Sequence, residues 1–154
     1  MDIGSHLSTE TIAQAAPFPP VCIEAHVPIR VAFETLRDLG RGAILVCRNG
    51  ILAGIFTERD ALRILASGKD LESPIESGMK PNPLAIQESE SIEAAISRMA
   101  ANGYRRLPIV DSQGRPTGLL DAVGIIHWLV EHFPSEVYNL PPVAKPRMQE
   151  REGP

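Results

Sequence analysis

The sequence predicts an α+β (mixed α/β) protein made of two β-α-β-β-α subdomains related by a pseudo-two-fold axis. The first observation behind this is an internal repeat. Gly50-Ile51-Leu52-Ala53-Gly54-Ile55-Phe56-Thr57-Glu58-Arg59-Asp60 and Gly114-Arg115-Pro116-Thr117-Gly118-Leu119-Leu120-Asp121-Ala122-Val123-Gly124 are two versions of one stretch, about 64 residues apart. The second is that the match continues upstream: Ile29, Ala32 and Leu36 correspond to Ile92, Ala95 and Met99 at an offset of about 63. The third is size. In a chain of 154 residues each copy has about 60, too few to bury a stable core alone, so the copies are expected to share one.

The elements follow in order. Residues 1–20 read as loosely ordered, apart from a helical turn over 12–16 that Pro17, Pro19 and Pro20 stop. A short strand covers 21–23. Pro28 stands where a helix tolerates proline, and Ile29, Ala32, Phe33, Leu36 and Leu39 recur with helical period until Gly40. Arg41-Gly42 turns the chain into a strand over 43–47. Asn49-Gly50 marks a tight hairpin to a strand over 51–56, and a second helix starts at Thr57 and reaches about Ala66. Residues 71–83, with Pro74, Gly78, Pro81 and Pro83, join the copies. The unit then repeats: strand 84–86, helix 92–102 ended by Gly103, strand 107–111, a turn at Ser112-Gln113-Gly114, strand 115–120 and helix 122–132. The stripes Ile29/Phe33/Leu36 and Ile92/Ile96/Met99 read as core, with a dimer face as the alternative. Residues 133–154 break the pattern with five prolines. Phe133, Val137, Tyr138, Leu140 and Val143 could anchor this tail on the body or on a neighbouring subunit, and beyond Lys145 the charges favour disorder.

Composition narrows the function. A net charge of −4 argues against nucleic acid as the main partner. No apolar run reaches the roughly 18 residues of a membrane helix, and the start carries no signal-peptide pattern. Cys22 and Cys47 lack metal or redox spacing and read as two small buried thiols, which suits a reducing cytoplasm. The histidines are scattered, with His127 and His132 off the spacing that would put two ligands on one helix face. Neither a nucleophile–base arrangement nor a P-loop is present, so no enzyme and no metal are expected.

Thr57-Glu58-Arg59-Asp60 has two readings. Ser/Thr-x-x-acid ahead of an apolar run is a helix capping box, which accounts for both Thr57 and Asp60 without a ligand. The same geometry also suits a ligand. Gly54 before the turn lets a molecule approach the backbone, the helix start favours a phosphate, and Asp60 can accept from vicinal hydroxyls of a ribose. The second copy keeps a cap in Asp121 but has Gly124 where Asp60 stands. Capping alone does not predict that loss. One cleft is therefore expected to work and the other not.

These residues carry a resemblance. Gly54-x-x-Thr57-x-x-Asp60, the phrase Asn102-Gly103-Tyr104-Arg105-Arg106-Leu107-Pro108-Ile109-Val110-Asp111 and the joint Met79-Lys80-Pro81-Asn82-Pro83 together resemble the tandem cystathionine-β-synthase (CBS) domain pair, or Bateman module. The likeness covers roughly residues 14–132. It divides the chain into a flexible N-terminus over 1–13, a first CBS domain over 14–72, a second over 73–132 and a proline-rich tail over 133–154. It implies an adenine-nucleotide cleft between the copies. By the same resemblance Asp60 holds the ribose, and Thr57 and Arg59 face the ribose and phosphate. Ile55, Asn82 and Leu84 line the ligand, Tyr104, Arg105 and Arg106 close the other side, and Arg41 supplies a phosphate contact.

The resulting expectation is a stand-alone cytoplasmic regulatory protein that binds AMP, ADP or ATP in one inter-repeat cleft, with S-adenosylmethionine or NAD ranked behind. It would signal by conformational or assembly change to an effector protein, with the output outside this chain because no effector domain is fused. It is expected to be a homodimer without membrane contact. The alternative is a ligand-independent dimerisation or protein-interaction module with vestigial clefts.

Overall fold

The computed structural model describes residues 3–15, 17–40 and 42–134. Among them the elements run α1 (Ile3–Thr9), β1 (Cys22–Glu24), α2 (Ile29–Leu39), β2 (Ala43–Arg48), β3 (Ile51–Thr57), α3 (Glu58–Ser67), β4 (Lys80–Pro81), β5 (Ile86–Gln87), α4 (Ile92–Asn102), β6 (Arg106–Val110), β7 (Pro116–Asp121) and α5 (Ala122–His132). Single-turn 3-10 helices lie at Ile12–Ala15 and Ile75–Ser77.

Local chemistry sets the element ends. Helix α2 begins after an extended Pro28 and stops at Gly40, whose φ of 62° is left-handed and costs glycine little. Ser91 caps α4 by accepting from the Ala94 amide at 3.1 Å. The β2–β3 hairpin turns through Asn49 (φ 51°) and Gly50 (φ 78°), and the Glu24 carboxylate accepts from both of their amides at 3.1 Å. In the second copy Asp111 ties its own turn, accepting from Gln113 and Arg115 amides at 2.9 Å. Those backbone bonds hold the Asp111 carboxyl below its ordinary pKa.

Two sheets result among the described residues. In the first, β1 pairs parallel with β2, and β2–β3 and β3–β4 pair antiparallel; in the second, β5 pairs parallel with β6, and β6–β7 pair antiparallel. Each copy thus forms its own small sheet, but each borrows an edge. Strand β4, from the joint, lies on the first copy's hairpin. Phe18 exchanges backbone hydrogen bonds with Leu119 of the second copy at 3.1 and 3.0 Å. The cores are exchanged in the same way. Ile75, Met79 and Leu71 from the joint pack with Ile29, Ile44, Phe56 and Ile64, whereas Ile12, Ala15 and Leu7 pack with Ile92, Met99, Leu107 and Trp128. A third cluster of Ala43 and Leu45 from β2, Leu119 from β7 and the flanking Leu52 and Ile55 holds the sheets face to face.

Several expectations are corrected. Residues 3–9, read as loosely ordered, form α1. The segment contains Gly4, Ser5, Ser8 and Thr9, which are poor helix formers, and what secures it is tertiary packing of Leu7 on the second core. The strand read over 84–86 is shifted to Ile86–Gln87, leaving Leu84 in a loop, 37% exposed. Cys47 is buried but Cys22 is exposed on β1. Burial pushes the Cys47 thiol up to about 12 and raises that of Cys22 as well, so both stay protonated at neutral pH. Both helical stripes face the cores. Phe133 packs edge-on against Trp128 at 5.3 Å between ring centres, and the other proposed tail anchors, Val137, Tyr138, Leu140 and Val143, lie outside the described residues.

Ile12 is fully buried, so truncating it leaves a void in the second core even though it precedes the first copy. Ile12→Ala is expected to cost about 2–5 kcal/mol in urea unfolding. A loss below about 0.5 kcal/mol would show that the N-terminal segment is not seated there.

Candidate functional site

The facing sheets leave a cleft on either side of the Ala43/Leu45/Leu119 layer. The first has a volume of about 320 Å³. Its wall on the first copy is Ile55 and Thr57 at the end of β3. The joint contributes Lys80, Pro81, Asn82, Pro83 and Leu84, and the second copy closes it with Tyr104, Arg105, Arg106 and Pro108. The joint is forced close to β3 by Gly54. A Cβ there would sit 2.2 Å from Met79 Sδ and 2.9 Å from the Lys80 carbonyl oxygen. The glycine therefore serves strand packing rather than ligand approach, a correction to the sequence reading. Asn82 adopts φ 49°, a left-handed conformation that asparagine tolerates, and donates its amide to the Ala53 carbonyl at 3.0 Å. That turn carries Pro83 and Leu84 into the cleft.

Of the ten residues predicted, Ile55, Thr57, Asn82, Leu84, Tyr104, Arg105 and Arg106 are brought together in this cleft. Arg59 is exposed on α3 and does not line it, and Arg41 lies outside the described residues. Lys80, Pro81, Pro83 and Pro108 line it without having been assigned. Lys80 and its neighbouring prolines stood in the joint that carried the family resemblance, so a signal for them was present.

Asp60 is the departure that matters. Among the described residues it is the one buried charged side chain, with no exposed surface. Its Oδ2 accepts from the Thr57 amide at 2.9 Å and from the Thr57 hydroxyl at 3.0 Å. Its Oδ1 accepts from Arg63 Nη2 at 2.9 Å, and the same guanidinium donates to the Gly78 carbonyl at 3.3 Å. The capping box is complete, with the Asp60 amide turned back on Thr57 Oγ1 at 3.4 Å. The carboxylate expected to meet a sugar is engaged by its own helix turn, and Thr57 stands between it and the cleft. Backbone amides at the helix start are engaged as well: that of Thr57 by Asp60, that of Asp60 by Thr57 Oγ1, and that of Glu58 by the Gly42 carbonyl at 3.2 Å. Positive charge in the cleft comes instead from Lys80, Arg105 and Arg106, and no carboxylate lines it.

The second cleft, of about 310 Å³, is lined by Phe18, Gly40, Gly42, Ala43, Leu119, Val123, Gly124 and His127, with Asp121 and the same two arginines, Arg105 and Arg106. Asp121 caps α5, accepting from the Val123 amide at 2.8 Å. Its other oxygen pairs with Arg106 Nε at 3.3 Å. Where the first copy has Asp60 this copy has Gly124. A Cβ there would lie 4.0 Å from the Phe18 ring, so the position faces an aromatic edge. Among the described residues no His/Cys/Asp/Glu group could hold a metal, and no helix is long and apolar enough to cross a membrane.

A family model described as CBS domain matches residues 13–67 and again 70–131. A 17.7 kDa protein of Acidianus ambivalens is 29% identical over 110 residues, 71% of this chain and 66% of that protein. The CBS domain-containing protein YhcV of Bacillus subtilis is 38% identical over 84 residues, 54% of this chain and 60% of its own length. The chain therefore spans less than two thirds of either relative. Among solved structures, CBSX2 in complex with AMP superimposes with a TM-score of 0.70 at 21% identity, covering 79% of this chain and 98% of that one. A CBS domain pair in complex with 5′-methylthioadenosine and S-adenosyl-L-methionine gives 0.69 at 23% identity, with 77% and 98% covered. At these identities the likeness establishes a shared fold.

Because the buried Asp60 carboxylate accepts from the Thr57 amide, the Thr57 hydroxyl and the Arg63 guanidinium, its removal weakens the protein with no ligand present. Asp60→Ala is expected to lower the unfolding free energy by about 1–3 kcal/mol in nucleotide-free buffer. An unchanged urea midpoint would show that the capping box does not form in solution.

Proposed function

The chain belongs to the CBS domain family as a tandem pair, and on that footing we propose that it is a regulatory, non-catalytic module that binds an adenine nucleotide in the first cleft. In this reading the copies span residues 14–72 and 73–132. The observation that carries it is the composition of the cleft: an apolar floor, an exposed tyrosine and three cations, with no carboxylate on its wall. Leu84, Ile55 and the Tyr104 ring suit the faces of a purine. Arg105, Arg106 and Lys80 suit a phosphate. Solved members of the fold hold AMP, or 5′-methylthioadenosine and S-adenosylmethionine, which supports an adenosine-based ligand.

The sugar contact differs from the one expected. Thr57 presents its hydroxyl at the cleft wall, and Asp60 orients it from behind through the 3.0 Å bond. For Asp60 to take a ribose directly, its carboxylate must exchange the Thr57 and Arg63 donors for sugar hydroxyls. Ligand binding then competes with the cap of α3, and that competition is the proposed signal: occupancy shifts the population of the α3 start and of the two halves' relative placement. An effector protein would read that placement. The same engagement of Asp60 favours a second reading, a ligand-independent assembly module whose clefts stay empty.

Assembly has its own support. Helices α3 and α5 occupy equivalent places in the repeat, and each leaves large apolar side chains in solvent: Leu62 (69% exposed) and Leu65 (58%) on α3, Val123 (46%) and Ile126 (58%) on α5. Leu62 and Ile126 are repeat equivalents, about 64 residues apart. We assign this face to a homodimer in the cytoplasm, two-fold and self-complementary.

Two measurements test these readings. AMP, ADP, ATP and S-adenosylmethionine are titrated calorimetrically and by thermal unfolding. A binder at 100 times its dissociation constant adds about 2.7 kcal/mol of stability. Tyr104→Ala, at an exposed position, is expected to weaken that binding about tenfold or more, a loss of 1.4 kcal/mol or more, without moving the ligand-free midpoint. Absence of binding by all four leaves the assembly reading. For the dimer, Leu62→Glu with Ile126→Glu is expected to reduce the particle to the 16.7 kDa chain in light scattering. A dimer that survives both charges would place the interface elsewhere.

A further inference from the structure

Arg106 lines both clefts. Its backbone pairs across β6–β7 with Asp121, the position equivalent to the Ala43–Thr57 pair of β2–β3. The duplication has therefore turned an uncharged cross-strand pair into an ion pair in one copy alone. The Arg106 guanidinium is not confined to its own strand. It reaches over Gly42 of the other copy, where a Cβ would lie 2.8 Å from Nη2 and 3.4 Å from the Glu58 carboxyl carbon. Its Nε lies 3.3 Å from an Asp121 carboxylate oxygen, within ion-pair distance. The side chain is about a third exposed and Asp121 about a fifth. Arg106 is thus a cation bordering two cavities, with Asp121 within ion-pair distance of its Nε and the Glu58 carboxyl group near its outer end over Gly42.

We propose that Asp121 is a positioning residue that competes with the anionic group of a first-cleft ligand for Arg106, so that this pair sets the first cleft's affinity for phosphate. The inference deepens the nucleotide reading and rests on it. A phosphate in the first cleft draws the guanidinium across Gly42. Asp121 is then uncovered in the second cleft beside His127, which gains negative charge. The two cavities become electrostatically linked, and by reciprocity a cation seated at Asp121 would tighten the anion at Arg106.

The test measures AMP and adenosine affinities calorimetrically for the full chain, Asp121→Asn, Arg106→Gln and the double variant. Asparagine preserves the α5 cap, so the fold is retained. Asp121→Asn is expected to tighten AMP about threefold or more, to leave adenosine unchanged, and to lose its effect in the Arg106→Gln background. Unchanged AMP affinity overturns the proposal. So does equal tightening of adenosine, or tightening that persists without Arg106, since a lost charge acting through space would do the same. If Arg106→Gln binds AMP too weakly to measure, the Arg106 Nε–H resonance decides: AMP added to the wild type must move it in the direction Asp121→Asn does, and a resonance that stays put refutes the exchange. AMP binding to none of the forms overturns the first-cleft reading itself, and the proposal with it.

Discussion

The layer of Ala43, Leu45 and Leu119, flanked by Leu52 and Ile55, is the contact on which the rest depends. It holds two small sheets face to face, and both clefts lie at its margins. β2 reveals the constraint in its sequence. Five consecutive residues, Ala43 to Cys47, are buried, because Ile44 and Val46 point to the helix-covered core while Ala43 and Leu45 point to the other copy. Neither copy can bury both faces of that strand alone. Exchange of segments reinforces the arrangement. The joint completes the first core and the N-terminal segment completes the second, so the first half's fold needs chain that follows it and the second half's needs chain from before the first copy.

Asp60 is held out of the cleft by the helix turn it caps. A fully buried carboxylate must have its lone pairs occupied, and here Thr57 and Arg63 occupy them. The bonds that keep α3's first turn in place are the bonds a sugar would have to replace. In the proposed reading, a ligand reaching Asp60 would draw on the same two oxygens that hold the cap, which couples the cleft to the helix behind it.

The duplication also explains why the clefts differ although their volumes are close. The first is bounded by an uncharged Thr57 and a proline-rich joint. The second has a capping carboxylate, a glycine in the following turn and the Phe18 ring. Both are bordered by the same two arginines, Arg106 at the start of β6 and Arg105 just before it, so the two clefts share their cations.

The repeat, the helix spans Ile29–Leu39, Ile92–Asn102 and Ala122–His132, and the Asn49-Gly50 hairpin were legible because they depend on spacing and local dihedral preference, which adjacent residues decide. Seven of the ten residues that the family resemblance singled out line the first cleft, because the repeated motif fixes their places around it. Helix α1 was not, because four of its seven residues are weak helix formers, and tertiary contacts hold it: Leu7 on the second core and the His6 ring beside Phe133. The orientation of Asp60 was not settled either. A carboxylate at the third helical position can turn to solvent or to its own cap. Arg63, one turn along the same helix, is a local partner; what the tertiary structure adds is the Gly78 carbonyl, which takes the same guanidinium at 3.3 Å and holds it over the buried Asp60.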